Sequence, residues 1–192
     1  MSKHDDEHAF GFVAGQHTRS HELGEGNAET QLSLTVDAVA VLLDWRKRAA
    51  FRCVADVRHG DRIDSYELEA QPRDLSYRVT NTKTGMIESF DPQSRMLREG
   101  NTERPLEVNQ LATEPLAARL AFPLSLGIWG RPGDSYRITG ATRRENAVIV
   151  SLVHQRDTTL TGKLTIDTDR RTAIRLDTPT LGVEYRAIQP DQ

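Results

Sequence analysis

The histidines near the N terminus are the first residues whose spacing suggests chemistry. They form two pairs with a four-residue spacing, His4 with His8 and His17 with His21. On a helix this spacing places both imidazoles of a pair on one face, where they can bind one metal ion. Residues 1–30 show no apolar periodicity, however, and so offer no rigid support for such ligands. We therefore predict no functional metal site and no other cofactor.

The sequence contains none of the common catalytic signatures. It lacks a Gly-x-Ser-x-Gly elbow, a His-Glu-x-x-His helix, a phosphate-binding glycine loop and a dinucleotide fingerprint. Cys53, the only cysteine, shares the period-two alternation of Phe51 and Ala55, which favours a core position over a nucleophile. His154 and Asp157 follow a predicted strand and are interpreted as turn residues. These observations predict a protein that is not an enzyme.

The most apolar stretch of the chain, residues 122–129, is enclosed by Pro123 and Gly130 and fits neither a regular strand nor a regular helix. It is either a plug that closes one end of the core, or a lid over a cavity for an acyl chain, which needs apolar walls. With a cavity, Arg52 or Arg78 would lie at the mouth. The predicted cavity residues are Tyr66, Leu75, Tyr77, Met86, Phe122, Leu126 and Trp129.

The elements that must position these residues begin with a helix. Residues 1–30 are predicted to form a mobile tail and residues 31–192 a single β-rich domain. Thr35 is predicted to cap the N terminus of the helix. The apolar positions of that helix follow the i, i+3, i+4, i+7 pattern, which predicts that they face the core. They are Val36, Val39, Ala40 and Leu43.

From Phe51 onward the apolar residues recur with a period of two, and short turns separate the runs. Short turns favour antiparallel neighbours. A short helix is predicted at 113–122, between the two groups of strands. The predicted fold class is α+β, mainly antiparallel β. It is a curved half-barrel meander with one N-terminal helix and a short helical and apolar insertion covering the concave face.

Composition limits the possible partners. The net charge is −3 and 37% of the residues are hydrophobic, so the chain should fold but lacks the positive charge of a general nucleic-acid binder. No apolar run reaches membrane-spanning length. Residues 1–12 lack the pattern of a signal peptide, which predicts a cytoplasmic protein as the sequence stands, or an extracytoplasmic one if a leader has been removed.

Two hairpins carry a family resemblance. They are SYRVTNTKTGMIESFDPQSRML at 76–97 and GKLTIDTDRRTAIRLDT at 162–178. With the order of elements over residues 34–188, they resemble the LolA/LolB-like lipoprotein carriers. The first hairpin resembles a strand pair of that family in which an arginine and a turn recur, and the second its strand, Asp-turn, strand unit near the end. The resemblance implies an unclosed β-barrel whose concave side is covered by helices.

Three functions are compatible with these features. The leading hypothesis is a non-enzymatic carrier that shelters an apolar small molecule or a lipidated protein in a half-barrel cavity. The alternative is a protein-interaction or regulatory module that docks another polypeptide on its sheet. A small enzyme that uses a cavity acid or histidine comes third. A cavity inside the sheet would favour the first, and a filled core would favour the second.

Overall fold

A computed structural model of the protein describes residues 19–110 and 112–191, with side chains from residue 29 onward. The predicted histidine pairs and the first part of the predicted tail lie outside the described side chains. The described chain begins with helix α1 (Arg19–Leu43), which continues into a 3-10 turn at Asp44–Lys47. All the strands that follow belong to one antiparallel sheet.

The sheet consists of two meanders. The first contains β1 (Phe51–His59), β2 (Arg62–Gln71), β3 (Ser76–Asn81), β4 (Ile87–Asp91), β5 (Met96–Glu99) and β6 (Thr102–Pro105). The second contains β7 (Tyr136–Arg144), β8 (Ala147–His154), β9 (Thr161–Asp167), β10 (Thr172–Asp177) and β11 (Leu181–Pro190). β1 pairs with β11, which joins the meanders into an eleven-stranded sheet with β6 and β7 at its edges. The sheet is not closed, and the predicted half-barrel class is confirmed.

Alternation along the strands separates two faces of the sheet. On the inner face Cys53 pairs with Leu68, which pairs with Val79, and all three are buried. On the outer face charged side chains pair with one another across the strands; Arg58 on β1, for example, reaches over Gly182 of β11 to Asp177 on β10 at 2.7 Å. A strand with one dry and one wet face is what period-two patterning predicts.

Helix α1 differs from its prediction in two respects. It begins at Arg19, well before Thr35, whose hydroxyl donates to the Gln31 carbonyl at 2.8 Å within the helix and caps nothing. The face that packs on the sheet contains Ala38 and Leu42, which are fully buried. The predicted face points outward instead, with Val36 59% and Leu43 53% exposed.

The insertion between β6 and β7 covers the inner face of the sheet, and residues 112–130 are called the cover below. It contains two 3-10 turns, Leu116–Ala118 and Pro123–Ser125, where the sequence predicted one short helix. Pro123 cannot donate a backbone hydrogen bond, which prevents a continuous helix through this segment. Its buried side chains complete the core. They include Ala117, Leu120, Ala121, Phe122, Leu126 and Ile128.

Candidate functional site

Two of the predicted cavity residues, Tyr77 and Phe122, belong to an aromatic cluster in the core. Phe122 packs edge-on against Trp45 and Tyr77, with ring centroids 5.4 and 6.0 Å apart. Leu126 is buried next to this cluster in the same core. The Phe122 ring is therefore in contact with two other aromatic rings of the core. That these residues line a ligand cavity stays a prediction.

The other predicted wall residues are less deeply placed. Tyr66, Leu75 and Trp129 are partly buried and pack against the edge of the core. Met86 is 51% exposed and lies against Gly100 at the β3–β4 turn, away from the aromatic cluster. The structure thus brings Tyr77, Phe122 and Leu126 together and leaves Met86 apart.

Tyr185 on β11 holds the cover onto the sheet, a role that the sequence pattern did not suggest. Its hydroxyl donates to the Ala117 carbonyl at 2.8 Å and accepts from the Ala121 N–H at 3.2 Å. Complete burial raises the pKa of Tyr185 well above its ordinary value. The hydroxyl therefore stays protonated and serves as a structural hydrogen-bond donor.

The two residues considered for nucleophilic or acid-base chemistry have structural roles. Burial raises the pKa of the Cys53 thiol to about 12, so the reactive thiolate is disfavoured. His154 packs edge-on against Tyr136 and its Nδ1 accepts from the Asp157 N–H at 3.1 Å. Cys53 is therefore a core residue, and His154 shapes the turn after β8, as predicted.

A polar trough of about 510 Å³ crosses the outer face of β2–β6. A row of cross-strand partners runs along its floor and continues one strand beyond it, onto β1. In sheet order, starting on β1, the row reads Arg52, Glu69, Arg78, Ser89, Arg98 and Glu103. Residues directly opposite each other on one face are in side-chain contact, and opposite charges there are favourable. The order of charges along the row therefore determines which of its side chains attract each other.

The charges alternate along this row except at its centre. Arg52 pairs with Glu69 at 3.7 Å, and Arg98 pairs with Glu103 at 3.7 Å. Ser89 occupies the position between Arg78 and Arg98 where alternation would place an acid. Arg78 is exposed and has no hydrogen-bond or ion-pair partner in the described part of the chain.

The row thus lacks one negative charge at Ser89, a small side chain between two arginines, while the trough around it also contains Asp91, on the same face of β4. A carboxylate placed over Ser89 would complete the alternation and could accept hydrogen bonds from the Arg78 guanidinium. Sequence reasoning named Arg78 only as a mouth residue of the predicted cavity. Pairing the runs across their turns could have revealed the row, because the register of a hairpin fixes which side chains stand opposite each other.

No group of three or more His, Cys, Asp or Glu side chains within residues 29–110 and 112–191 is arranged to bind a metal ion. No helix in the described ranges is both long and apolar enough to cross a membrane.

Comparisons with known proteins were made at the level of sequence and of structure. No protein-family model and no curated protein matches this sequence. Solved structures of similar fold include the Pseudomonas aeruginosa MucA/MucB complex, at 11% identity and a TM-score of 0.45. That match covers 81% of this chain and 56% of the other, so this chain spans little more than half the length of that structure's chain.

The matches to two further structures cover a larger share of the other chain. An uncharacterized conserved protein from Thermus thermophilus matches at 10% identity and a TM-score of 0.43, over 82% of this chain and 88% of that one. A LolA superfamily protein from Nitrosomonas europaea matches at 8% identity and a TM-score of 0.31, over 81% and 94%. These similarities are limited to the fold of the backbone and indicate no function for this protein.

Proposed function

We propose that the protein is a non-enzymatic binding protein that holds an acidic polypeptide segment in the trough on its outer face. The observation that supports this proposal is the missing acid at Ser89, beside Arg78. An Asp or Glu side chain of the partner takes that position and accepts hydrogen bonds from Arg78. Glu69 and Glu103 nearer the ends of the row repel further acids, so the preferred segment is acidic at its centre and neutral or basic on either side.

The filled core also favours docking of a polypeptide on the sheet over sheltering of an apolar ligand inside it. An apolar ligand needs space between the sheet and the cover, and Phe122 and Trp45 occupy it. The trough, by contrast, is open in the same conformation. Its hydroxyl and amide groups can bond to a partner's backbone. They include Gln71, Ser76, Gln93 and Ser94.

Peptide display provides the test of the trough. We expect peptides with one central Asp or Glu to be enriched from a random library, and one such peptide then serves as the probe. Ser89→Asp should abolish its binding because the new acid completes the row from within the chain. Arg78→Ala should weaken binding about tenfold or more, the cost of one charge-assisted hydrogen bond. Fluorescence anisotropy measures both effects.

Two control variants make this test specific. Ser89→Asn has nearly the same size as Ser89→Asp without the charge, so it should retain more of the binding. Lys163→Ala removes an exposed cation from the outer face of β9, outside the trough, and should bind like the unmodified protein. Equal binding by Ser89→Asp and the unmodified protein would contradict the proposal.

The carrier hypothesis remains as a second candidate, favoured by one observation. The cover contributes three large apolar side chains to the layer between it and the sheet. They are Phe122, Leu126 and Ile128, and each is 2% exposed. If the cover moved outward, it would leave an apolar surface suited to an acyl chain. Native mass spectrometry of protein purified without detergent should then show a lipid-sized adduct that Trp129→Ala reduces. A bare mass, or the same lipid content in both proteins, counts against the carrier.

A further inference from the structure

Helix α1 has two apolar faces, and the fold uses only one. Leu34, Ala38 and Leu42 face the sheet and the core. Leu32 and Leu43, on the other face, are 66% and 53% exposed. With Val36 and Ala40, which are also exposed, they recur at i, i+4, i+8 and i+11 and form one line along the helix, called the outer stripe here.

A basic pocket of about 630 Å³ lies at the C-terminal end of this helix. Four cationic side chains and one acid line it. They are Arg46, Lys47, Arg48, Arg73 and Asp74. Lys47 pairs with Asp44 at 3.0 Å, yet its side chain is 77% exposed. The chain as a whole carries a net charge of −3, so this surplus of cations is local.

Two of these cations have no acidic partner among the described residues. Arg46 stacks over the Trp45 ring at 5.3 Å from its centroid and makes no ion pair. Arg73 is exposed and has no hydrogen-bond or ion-pair partner there. The pocket therefore presents unused donors that suit a phosphate-type oxyanion.

The outer stripe leads directly into this pocket along the chain. Leu43 is the last residue of α1, and Arg46 and Lys47 occupy the 3-10 turn that follows. Glu29 lies beyond the other end of the stripe, Asp37 lies beside it, and Asp44 follows Leu43 and pairs with Lys47, so the surplus of positive charge is confined to the pocket. Apolar side chains followed by clustered cations are the features by which peripheral helices bind anionic lipid surfaces.

We propose that the outer stripe and the basic pocket dock the protein on an anionic phospholipid surface. Leu32, Val36 and Leu43 enter the boundary between headgroups and acyl chains, and Arg46 and Arg73 contact lipid phosphates. Charge complementarity selects this partner over a second copy of the chain, which would cover the stripe without neutralising the pocket. The basic pocket adjoins the trough at Gln71, which lines both, but this proposal does not depend on the function proposed for the trough.

Vesicle co-sedimentation tests the proposal with the full chain. Vesicles of equimolar phosphatidylglycerol and phosphatidylcholine should bind the protein, and vesicles of phosphatidylcholine alone should bind it much less. Arg46→Ala with Arg73→Ala should weaken binding by more than about tenfold, because each cation near an anionic surface contributes about a fivefold factor. Val36→Ser with Leu43→Ser should weaken it as well. Both pairs are exposed, so the variants should remain folded.

Matched variants separate this surface from general effects. Ile63→Ser removes an apolar side chain that is 62% exposed on β2, and should leave vesicle binding unchanged. Arg144→Ala with Lys163→Ala removes two exposed cations elsewhere on the sheet and provides the charge control. Arg78→Ala, which weakens peptide binding in the trough, should also bind vesicles normally.

Three results would overturn the proposal. One is equal vesicle binding by the stripe variant and the unmodified protein. Another is concentration-dependent dimerisation that Val36→Ser with Leu43→Ser removes, in the absence of vesicle binding, which would assign the stripe to a second copy. The third is binding of inorganic phosphate in the pocket, measured by calorimetry, without any binding of vesicles, which would make the pocket a site for a free anion.

Discussion

The inner face of the sheet differs between its centre and its β4–β6 end. One row of cross-strand partners shows the change, because Cys53, Leu68 and Val79 are buried while their continuation on β4 and β5 is Glu88 and Glu99. The cover packs on β1, β2 and β3 through its 3-10 turn at residues 116–118. The apolar character of the row thus ends at the last of these strands.

The trough lies partly on β2 and β3 and partly on the strands beyond the cover. A sheet wider than its cover leaves a margin, here called the β4–β6 wing, where much of both faces meets water. β6 is exposed throughout and its sequence contains charged residues and Pro105, as expected of an edge strand that must not pair with another chain. The wing is held mainly by hairpin pairing, so its outer side chains are free to serve recognition.

The largest expected effect concerns the covered region. Tyr185→Phe removes the donor to the Ala117 carbonyl and should destabilise the protein by about 1–3 kcal/mol, the cost of a buried group left without its partner. The Ala121 N–H keeps a second acceptor, the Ala118 carbonyl at 2.9 Å, and adds little to the loss. Urea denaturation monitored by circular dichroism measures the change.

Tyr136→Phe is the matched control for this variant. Tyr136 is also buried in the core, but its hydroxyl makes no hydrogen bond within the described residues, so its loss should change the free energy of unfolding very little. Equal destabilisation by the two variants would show that the Tyr185 hydrogen bond does not hold the cover, and that the covered region is stabilised by packing alone.

How much of this could be predicted from the sequence differs between strands and helix. Alternation from Phe51 identified β1, β2 and β3 because each has one dry face, and the half-barrel class followed from the short turns. The exposed four-residue strand β6 contains no apolar alternation and was not predicted. Period-two reasoning detects a strand only where burial shapes its sequence.

For the helix, hydrophobic periodicity did not identify the buried face. Leu34, Ala38 and Leu42 form one apolar face, and Val36, Ala40 and Leu43 form part of another, so periodicity alone could not decide which of them meets the sheet. The same holds for Met86, which the sequence placed in a cavity wall and which instead lies about half exposed at a turn. Its surroundings depend on where the cover ends, which is a tertiary property.

The smallest expected effect concerns the wing. Partial burial and the opposing Glu99 raise the pKa of Glu88 above its ordinary value of 4.5. A carboxyl whose pKa is raised by folding contributes stability below that ordinary value, and the contribution is lost as the pH rises through the raised one. Glu88→Gln should therefore stabilise the protein at pH 7, by on the order of 0.3 kcal/mol because water screens the pair. The gain should disappear on acidification below the ordinary carboxyl pKa. Urea midpoints at both pH values measure this difference, and a gain that persists in acid would mean that the wing carries no carboxylate repulsion.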